Sequence, residues 1–132
     1  MPNDHARAMK AIRGLDYTVI FCRDLPAMTA FYQDVMGFER APNLSDTWIE
    51  FRVGSTTLAL TRPGGRFPSP APEGPTLQLA FRVPPPAVAA CAAALRAQGV
   101  EPLEDVADQP FGHRTLFFRD PDGNLLEIYA EL

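Results

Sequence analysis

Apolar residues recur at strand and helix spacing along the first third of the chain. Residues 15–23, LDYTVIFCR, are rich in β-branched and aromatic side chains and predict a strand. Residues 24–37, DLPAMTAFYQDVMG, carry apolar residues at helical spacing. Asp24 is a candidate N-cap and Gly37 a stop signal, so the segment predicts a helix that follows the strand directly.

Two further runs of alternating residues follow this helix. Residues 47–54, TWIEFRVG, and 56–62, TTLALTR, predict strands that are joined by a short Gly/Ser turn. A brief extended piece around Phe38 precedes them. The first half of the chain is therefore predicted to have the order β-α-β-β-β.

The same order recurs after residues 63–75, a Pro- and Gly-rich stretch that predicts a linker. The repeated elements are a strand at 76–83, a helix at 85–99, a short extended piece at 100–105, and a hairpin at 113–132 that turns at Asp122-Gly123. An internal repeat of this kind predicts an α+β fold of two tandem βαβββ modules, one at about 14–62 and one at about 76–131, within a single domain spanning 1–132. Each helix then covers the outer face of a curved sheet, and the other, concave faces surround a cavity.

Strand alternation predicts which side chains face that cavity, because the more apolar side of each strand must meet its helix. The helix side receives Ile20, Cys22, Leu58, Leu60, Leu79, Phe81, Leu126 and Ile128. The opposite side receives Tyr17, Val19, Trp48, Glu50, Arg52, Thr57, Ala59, Thr61, Gln78, Ala80, His113, Thr115, Leu125, Glu127 and Tyr129. Apolar walls with a few polar groups are typical of a small-molecule site.

Composition narrows the classes of partner. The 132 residues include 12 basic and 16 acidic ones, a net charge of −4, and no basic run that could follow a phosphate backbone, so a nucleic acid is not expected. No apolar stretch is long enough to span a bilayer and the start lacks a secretory apolar region, so a cytoplasmic location without membrane contact is expected. Cys22 and Cys91 lack metal-ligand spacing and are interpreted as reduced core residues.

Two segments resemble those of the vicinal oxygen chelate superfamily, which includes glyoxalases, bleomycin-resistance proteins and extradiol dioxygenases. They are DLPAMTAFYQDVMGFE, from Asp24, and FGHRTLFFRDPDGNLLEIY, which ends at Tyr129. The resemblance covers residues 14–131 and implies a homodimer. Members that perform chemistry hold a divalent metal with ligands from four strand positions.

Carried over position by position, the resemblance assigns those four places to Tyr17, Ala59, Gln78 and Glu127. Only Glu127 matches the ligand type of the family. Gln78 offers a weak carbonyl oxygen, Tyr17 a phenolate only if a metal displaces its proton, and Ala59 nothing. No metal ligand and no cofactor are therefore predicted, and a divalent metal is the alternative.

Glu127 has two interpretations of equal weight. It is either a relic that hydrogen-bonds Gln78 or Tyr17 across the cavity, or a group that binds the ligand or acts as a general base. We expect it to close a polar cluster with those two residues. Tyr17 is either a proton donor, which makes it the second catalytic candidate, or an aromatic wall.

Other ligand-binding candidates lie on the same predicted face. Trp48 is either part of an aromatic clamp, with Phe67 and Phe111, or ordinary packing. Arg52 must pair with Glu50, with Glu127 or with an anionic ligand. His113, at the beginning of a strand, is either a base, an alternative metal ligand with Glu50 and Glu127, or a solvated side chain. Ala59 and Tyr129 complete the predicted site.

These observations predict a dimeric, metal-independent protein that binds a small aromatic or cationic organic molecule between its sheets. One alternative is an enzyme: a metal-dependent lyase, isomerase or dioxygenase with non-standard ligands, or a metal-free proton-transfer catalyst that uses Glu127 and Tyr17. A subunit-interaction module without a ligand is another. Neither the identity of the ligand nor the pairing of the modules, within one chain or between chains, follows from the sequence.

Overall fold

The computed structural model of the chain describes residues 9–11, 13–42, 45–63 and 77–132. The first module follows the predicted order: β1 Tyr17–Phe21, α1 Leu25–Ala30, a π-helical turn Phe31–Val35, β2 Glu39–Arg40, β3 Trp48–Val53 and β4 Thr56–Thr61. The second module repeats it: β5 Gln78–Arg82, α2 Pro85–Ala97, β6 Ala107–Asp108, β7 His113–Arg119 and β8 Leu125–Glu131. The predicted linker lies outside the described residues, except for Pro63.

The described strands form two four-stranded mixed sheets with matching topology. The strand order is β1-β4-β3-β2 in the first sheet and β5-β8-β7-β6 in the second. In each sheet the first strand runs parallel to the last strand of its module, and the other pairs are antiparallel. The α+β class and the tandem βαβββ modules are thereby confirmed. Over the described ranges, the two sheets do not close into a barrel.

Local chemistry accounts for where the first helix begins. The Asp24 carboxylate accepts a hydrogen bond from the Ala27 backbone N–H at 3.0 Å, which makes Asp24 the N-cap that the sequence predicts. Pro26 lies in the first turn, where its missing N–H costs no helical hydrogen bond. After Val35, Gly37 takes a φ of 69°, a left-handed conformation that glycine adopts without strain.

The structure corrects two local predictions. The extended piece predicted at 100–105 contains no strand; the short edge strand is β6, further along at Ala107–Asp108. Pro102 lacks the N–H that a strand at that place would use. The hairpin turn is longer than two residues: it spans Asp120 to Asn124, with Gly123 at a φ of 88°.

One hydrophobic core lies between the outer, convex faces of both sheets. Phe51 on the first sheet and Phe118 on the second are both fully buried. Tyr32 contacts Phe51 at 6.5 Å between ring centroids, and the adjacent Phe31 contacts Phe118 at 6.5 Å. The first helix thus packs on both sheets at once, and their concave faces point away from the shared core.

Among the described residues, no helix combines the length and the apolar character that a membrane crossing requires.

Candidate functional site

The concave face of the first sheet carries the residues that alternation assigns to it. Strand register pairs Tyr17 with Thr57, and Glu50 with Ala59. Arg52 lies opposite Thr57, so these five residues and their alternate neighbours share one face. Trp48 is half-buried at the start of β3. Phe21, which was not among the predicted residues, also lies on this face and is 53% exposed.

The concave face of the second sheet is equally consistent with alternation. Gln78 pairs with Leu125, Ala80 with Glu127, and Arg82 with Tyr129. On the other side of β8, Phe117 pairs with Glu127 and Thr115 with Tyr129. The face therefore has an aromatic and aliphatic floor, with the Glu127 carboxylate at its centre and the Glu131 carboxylate at the end of β8.

Within one chain these two faces stay open. Tyr17 is 53% exposed on the first sheet, and Gln78 and Ala80 are exposed on the second. The contacts between modules run instead through the convex side, as in the pair Phe38 and Phe81, whose rings lie 5.5 Å apart. A cavity between the two concave faces of a single chain is therefore absent from the described part of the structure.

Several polar groups on the concave faces already have partners. The indole Nε1 of Trp48 donates to the Glu50 carboxylate at 2.6 Å. Arg82 forms an ion pair with Glu131 at 2.8 Å. His113 stacks on Tyr129 with 4.8 Å between ring centroids and an angle of 28°. Glu50 is thus the partner of Trp48 and not, as one expectation had it, of Arg52.

Four candidates have side chains without a hydrogen bond or ion pair to any other described residue: Tyr17, Arg52, Gln78 and Glu127. The expected polar cluster of Tyr17, Gln78 and Glu127 is consequently not formed within one chain. Gln78 and Glu127 share the second sheet, whereas Tyr17 lies on the first. The long side chains of Arg52 and Gln78 are exposed, and Glu127 is half-buried.

The donor set does not fit the divalent metal that the fold family implies. Ala59 is fully buried at the place of one ligand and has no donor atom. The other three places provide a phenol, an amide and a carboxylate, on two sheets that do not face each other in the chain. Among the described residues, no group of three or more His, Cys, Asp or Glu side chains is arranged to hold a metal ion.

A second polar cluster, which sequence reasoning missed, lies where the modules meet. The Tyr32 hydroxyl donates to Asp120 Oδ2 at 2.8 Å, although the two residues are 88 positions apart. Burial, and then the Asp120 carboxylate, raise the pKa of Tyr32 well above its usual range. Asp122 Oδ2 accepts from the Arg23 backbone N–H at 2.8 Å. The sequence offers no separate signal for this cluster, because the two aspartates of RDPDGN are residues that turns commonly use.

The cysteines match their interpretation as free core thiols. Cys22 is 1% exposed, and burial, assisted by the carboxylates of Asp122 and Asp120, raises its pKa to about 12. Cys91 is half-buried in α2, and burial raises its pKa as well. A raised pKa keeps both thiols protonated near neutral pH, so neither has the character of a catalytic nucleophile.

The two-module architecture with open concave faces defines a class of paired-βαβββ proteins. Residues 14–128 match the family model of the Glyoxalase/Bleomycin resistance protein/Dioxygenase superfamily, and the chain belongs to that superfamily.

Solved structures agree with this assignment. A lactoylglutathione lyase from Agrobacterium tumefaciens is 25% identical, with a TM-score of 0.75 over 90% of this chain and 94% of that one. A glyoxalase/bleomycin resistance protein/dioxygenase from Nocardioides is 23% identical, with a TM-score of 0.76 over 99% and 93%. The fosfomycin resistance protein FosX from Listeria monocytogenes is 22% identical, with a TM-score of 0.73 over 92% and 93%. The last two likenesses concern the fold alone.

Proposed function

We propose that this protein is a metal-independent binding member of the superfamily, and that it holds a small aromatic molecule with a cationic group between two chains. The observation that carries the proposal is the state of Glu127. Glu127 lies half-buried at the centre of an aromatic-lined face, and its carboxylate has no hydrogen bond or ion pair to any described residue. A carboxylate in such a place is stabilised by a positive charge or a donor, and a ligand can supply either.

Aromatic surface supports the aromatic part of the ligand. Tyr17 and Phe21 are each 53% exposed on the first concave face, next to half-buried Trp48. The second face contributes Phe117 and Tyr129, both half-buried. Large rings left open on a sheet provide the apolar area and the ring faces that bind aromatic and cationic groups.

A second copy of the chain is the partner that would complete the site. Each chain exposes two open concave faces, and a two-fold dimer brings the first sheet of one chain onto the second sheet of the other. The charges are complementary, because the first face carries Arg52 and the second carries Glu127, neither of which has a partner among the described residues. The expected cluster of Tyr17 with Gln78 and Glu127 would then form between chains.

Metal independence is supported by the residues at the family's ligand positions. Buried Ala59 cannot coordinate, and the remaining phenol and amide are poor ligands for an oxygen-preferring cation. The lyase activity in the name of the Agrobacterium relative is therefore not carried over. A cytoplasmic location remains the prediction made from the sequence.

Binding of a panel of primary amines and quaternary ammonium compounds, each with one aromatic ring, tests the proposal. Trp48 is the single tryptophan, so its emission reports binding directly, and calorimetry gives the affinity. We expect at least one compound to bind, and Glu127→Gln to weaken it by about tenfold, since the amide loses the charge. Neutral analogues of the same shape should bind more weakly to the wild type.

Asp108→Asn is the matched control. It removes the same charge from the same sheet, but Asp108 lies on the edge strand β6 and is already paired with Arg114 at 2.7 Å. The Asp108→Asn protein should bind the amine as tightly as the wild type does. Equal weakening by both variants would indicate a general effect of net charge, and an amine that binds Glu127→Gln as tightly as the wild type would refute the role of Glu127.

A further inference from the structure

The turn between β7 and β8 does more than join two strands. Asp120 and Asp122 are 5% and 7% exposed, and both carboxylates are held by hydrogen bonds. Asp120 closes its own loop, accepting from the Asn124 backbone N–H at 2.9 Å and from the Asn124 side-chain amide at 2.9 Å. The oxygen that accepts the Asn124 side-chain amide, Oδ2, also accepts the Tyr32 hydroxyl of the other module.

Asp122 reaches the other module in a different place. It accepts from the backbone N–H groups of Arg23 and Asp24, at 2.8 and 3.3 Å, in the link between β1 and α1. The Arg23 guanidinium donates in return to the Asp122 carbonyl oxygen. The two carboxylates of this turn therefore accept hydrogen bonds from the same helical segment at two places, near its start and at Tyr32.

The π-helical turn allows these contacts to form together. The Met36 N–H donates to the Phe31 carbonyl at 3.0 Å, one residue further than in an α-helix. The wider turn lets two consecutive residues, Phe31 and Tyr32, both point into the core, with exposures of 6% and 0%. Phe31 contacts Phe118 of the second module, while Tyr32 contacts Phe51 of the first and bonds Asp120 of the second.

We propose that Tyr32, Asp120 and Asp122 form a clamp that fixes the angle between the two sheets and so positions both concave faces for the site. None of the three lies on a concave face, so they are positioning residues. The clamp holds the convex sides together, which keeps each concave face turned outward and available to a second chain. The role of the clamp in positioning the concave faces rests on the proposed function, whereas its role in fixing the angle between the sheets does not.

The angle is measurable by pulsed electron paramagnetic resonance between nitroxide labels in the two modules. Ser55→Cys in the β3–β4 turn and Ala93→Cys on α2 are exposed attachment points. Cys91→Ala removes the half-buried thiol, and Cys22 resists labelling because it is buried with a raised pKa. Labelled chains are diluted in unlabelled protein so that only distances within a chain are recorded.

We expect one narrow distance distribution in the parent protein and a broad one in Tyr32→Phe and in Asp122→Ala. Asp122→Asn should lie between the parent and Asp122→Ala, because its amide oxygen keeps one acceptor. Val88→Ala is the control: Val88 is fully buried between α2 and its own sheet, so the variant loses stability without touching the clamp and should keep the narrow distribution. Folded Tyr32→Phe and Asp122→Asn proteins that both keep the parent distribution would overturn the clamp, even if Asp122→Ala failed to fold.

Dimer affinity separates the clamp from its consequence. Sedimentation should give a dimer dissociation constant about tenfold weaker for Tyr32→Phe than for an equally destabilised Val88→Ala protein, because a loose angle lowers the fraction of chains ready to pair. Equal constants for the two variants would refute the positioning role. A wild type that stays monomeric at all concentrations would refute the proposed dimer and that role, and leave the distance result to decide the clamp alone.

Discussion

The indole N–H of Trp48 donates a 2.6 Å hydrogen bond to the carboxylate of Glu50, two residues further along the same strand. Because i and i+2 share a face of a strand, this pair fixes the orientation of the ring on the first concave face. The acid that seemed available to Arg52 is thereby occupied. The ring stays half-buried, with one surface open for contact.

Removing the acceptor should change both emission and stability. We expect Glu50→Leu to leave the half-buried Nε1–H without a partner, to shift the emission of Trp48, and to lower the free energy of unfolding by about 1 kcal/mol. Glu50→Gln keeps an acceptor oxygen and should change both much less. Fluorescence spectra and urea unfolding of the two variants check this. Identical spectra for Glu50→Leu and wild type would mean that the bond is not kept in solution.

Stability should decline at alkaline pH because of Cys22. Its pKa is 9.0 ordinarily and about 12 in the folded protein, so the unfolded chain releases this proton first. The contribution is fully present below pH 9.0 and is lost as the pH rises towards about 12. One such proton corresponds to a slope of about 1.4 kcal/mol per pH unit. Tyr32 acts in the same direction at higher pH, since burial raises its pKa too.

Cys22→Ala should flatten that slope, whatever it does to the absolute stability. The measurement is the midpoint of chemical unfolding at a series of pH values between neutral and strongly alkaline. Cys91→Ala is the comparison, because its thiol is less buried. If the slope is unchanged in Cys22→Ala but flatter in Cys91→Ala, the loss of stability at alkaline pH comes from Cys91 and the prediction is wrong.

Asp108 and Arg114 form an exposed pair whose geometry is bidentate, with N–O distances of 2.7 and 3.2 Å. The hydrogen bonds from Arg114 lower the pKa of Asp108. A depressed pKa means that the stabilisation is present above the ordinary value of 3.8 and is lost as the pH falls through the lower pKa of the folded protein.

Substitutions of Arg114 test whether its two parallel hydrogen bonds or its charge alone lowers the pKa of Asp108. Arg114→Lys should bring the pKa of Asp108 part of the way back to its usual value, because an ammonium cannot donate two parallel bonds, and Arg114→Gln should bring it further. Carboxyl chemical shifts in an acid titration give the pKa directly. If Arg114→Lys leaves the pKa of Asp108 as low as in the wild type, the charge alone is responsible.

Strand alternation was enough to predict both faces of both sheets. Successive side chains of a strand point to opposite faces of the sheet, so an apolar face determines the face of every residue in the strand. Ile20, Leu60 and Ile128 are buried, as this pattern predicts. The helix N-cap at Asp24 is likewise a local signal, and it is confirmed.

What the sequence did not predict depends on contacts between distant residues. Nothing near Tyr32 indicates its bond to Asp120, because that partner lies 88 positions away in the second module, and no local signal marks the π-helical turn. For the same reason, alternation indicates that Tyr17 and Glu127 lie on concave faces but not that these faces turn away from each other. The packing of Phe31 and Phe38 on the second sheet, together with the hydrogen bond from Tyr32 to Asp120, joins the two modules on their convex sides.

Glu127 leads to the last prediction, because its place in related proteins is that of a metal ligand. Within its own chain its carboxylate makes no hydrogen bond to a described residue, so replacing it strands no donor there. We therefore expect Glu127→Gln and Glu127→Leu to change the free energy of unfolding of the dilute protein by less than about 1 kcal/mol. Leucine should lower the affinity for the aromatic amines more than glutamine, since glutamine keeps an acceptor.

Chelation distinguishes this picture from a metal site. The other ligand positions hold a phenol, an amide and an alanine, which form no metal site. Dialysis against EDTA should therefore leave the unfolding midpoint of the wild type and of both variants unchanged. Later addition of Mn²⁺ or Zn²⁺ should not raise that midpoint. The midpoint is followed by the emission of Trp48, with elemental analysis of the same samples. A wild type that loses stability in EDTA, while Glu127→Leu does not respond, would show that Glu127 holds a metal after all, because only a bound cation links chelation to that carboxylate.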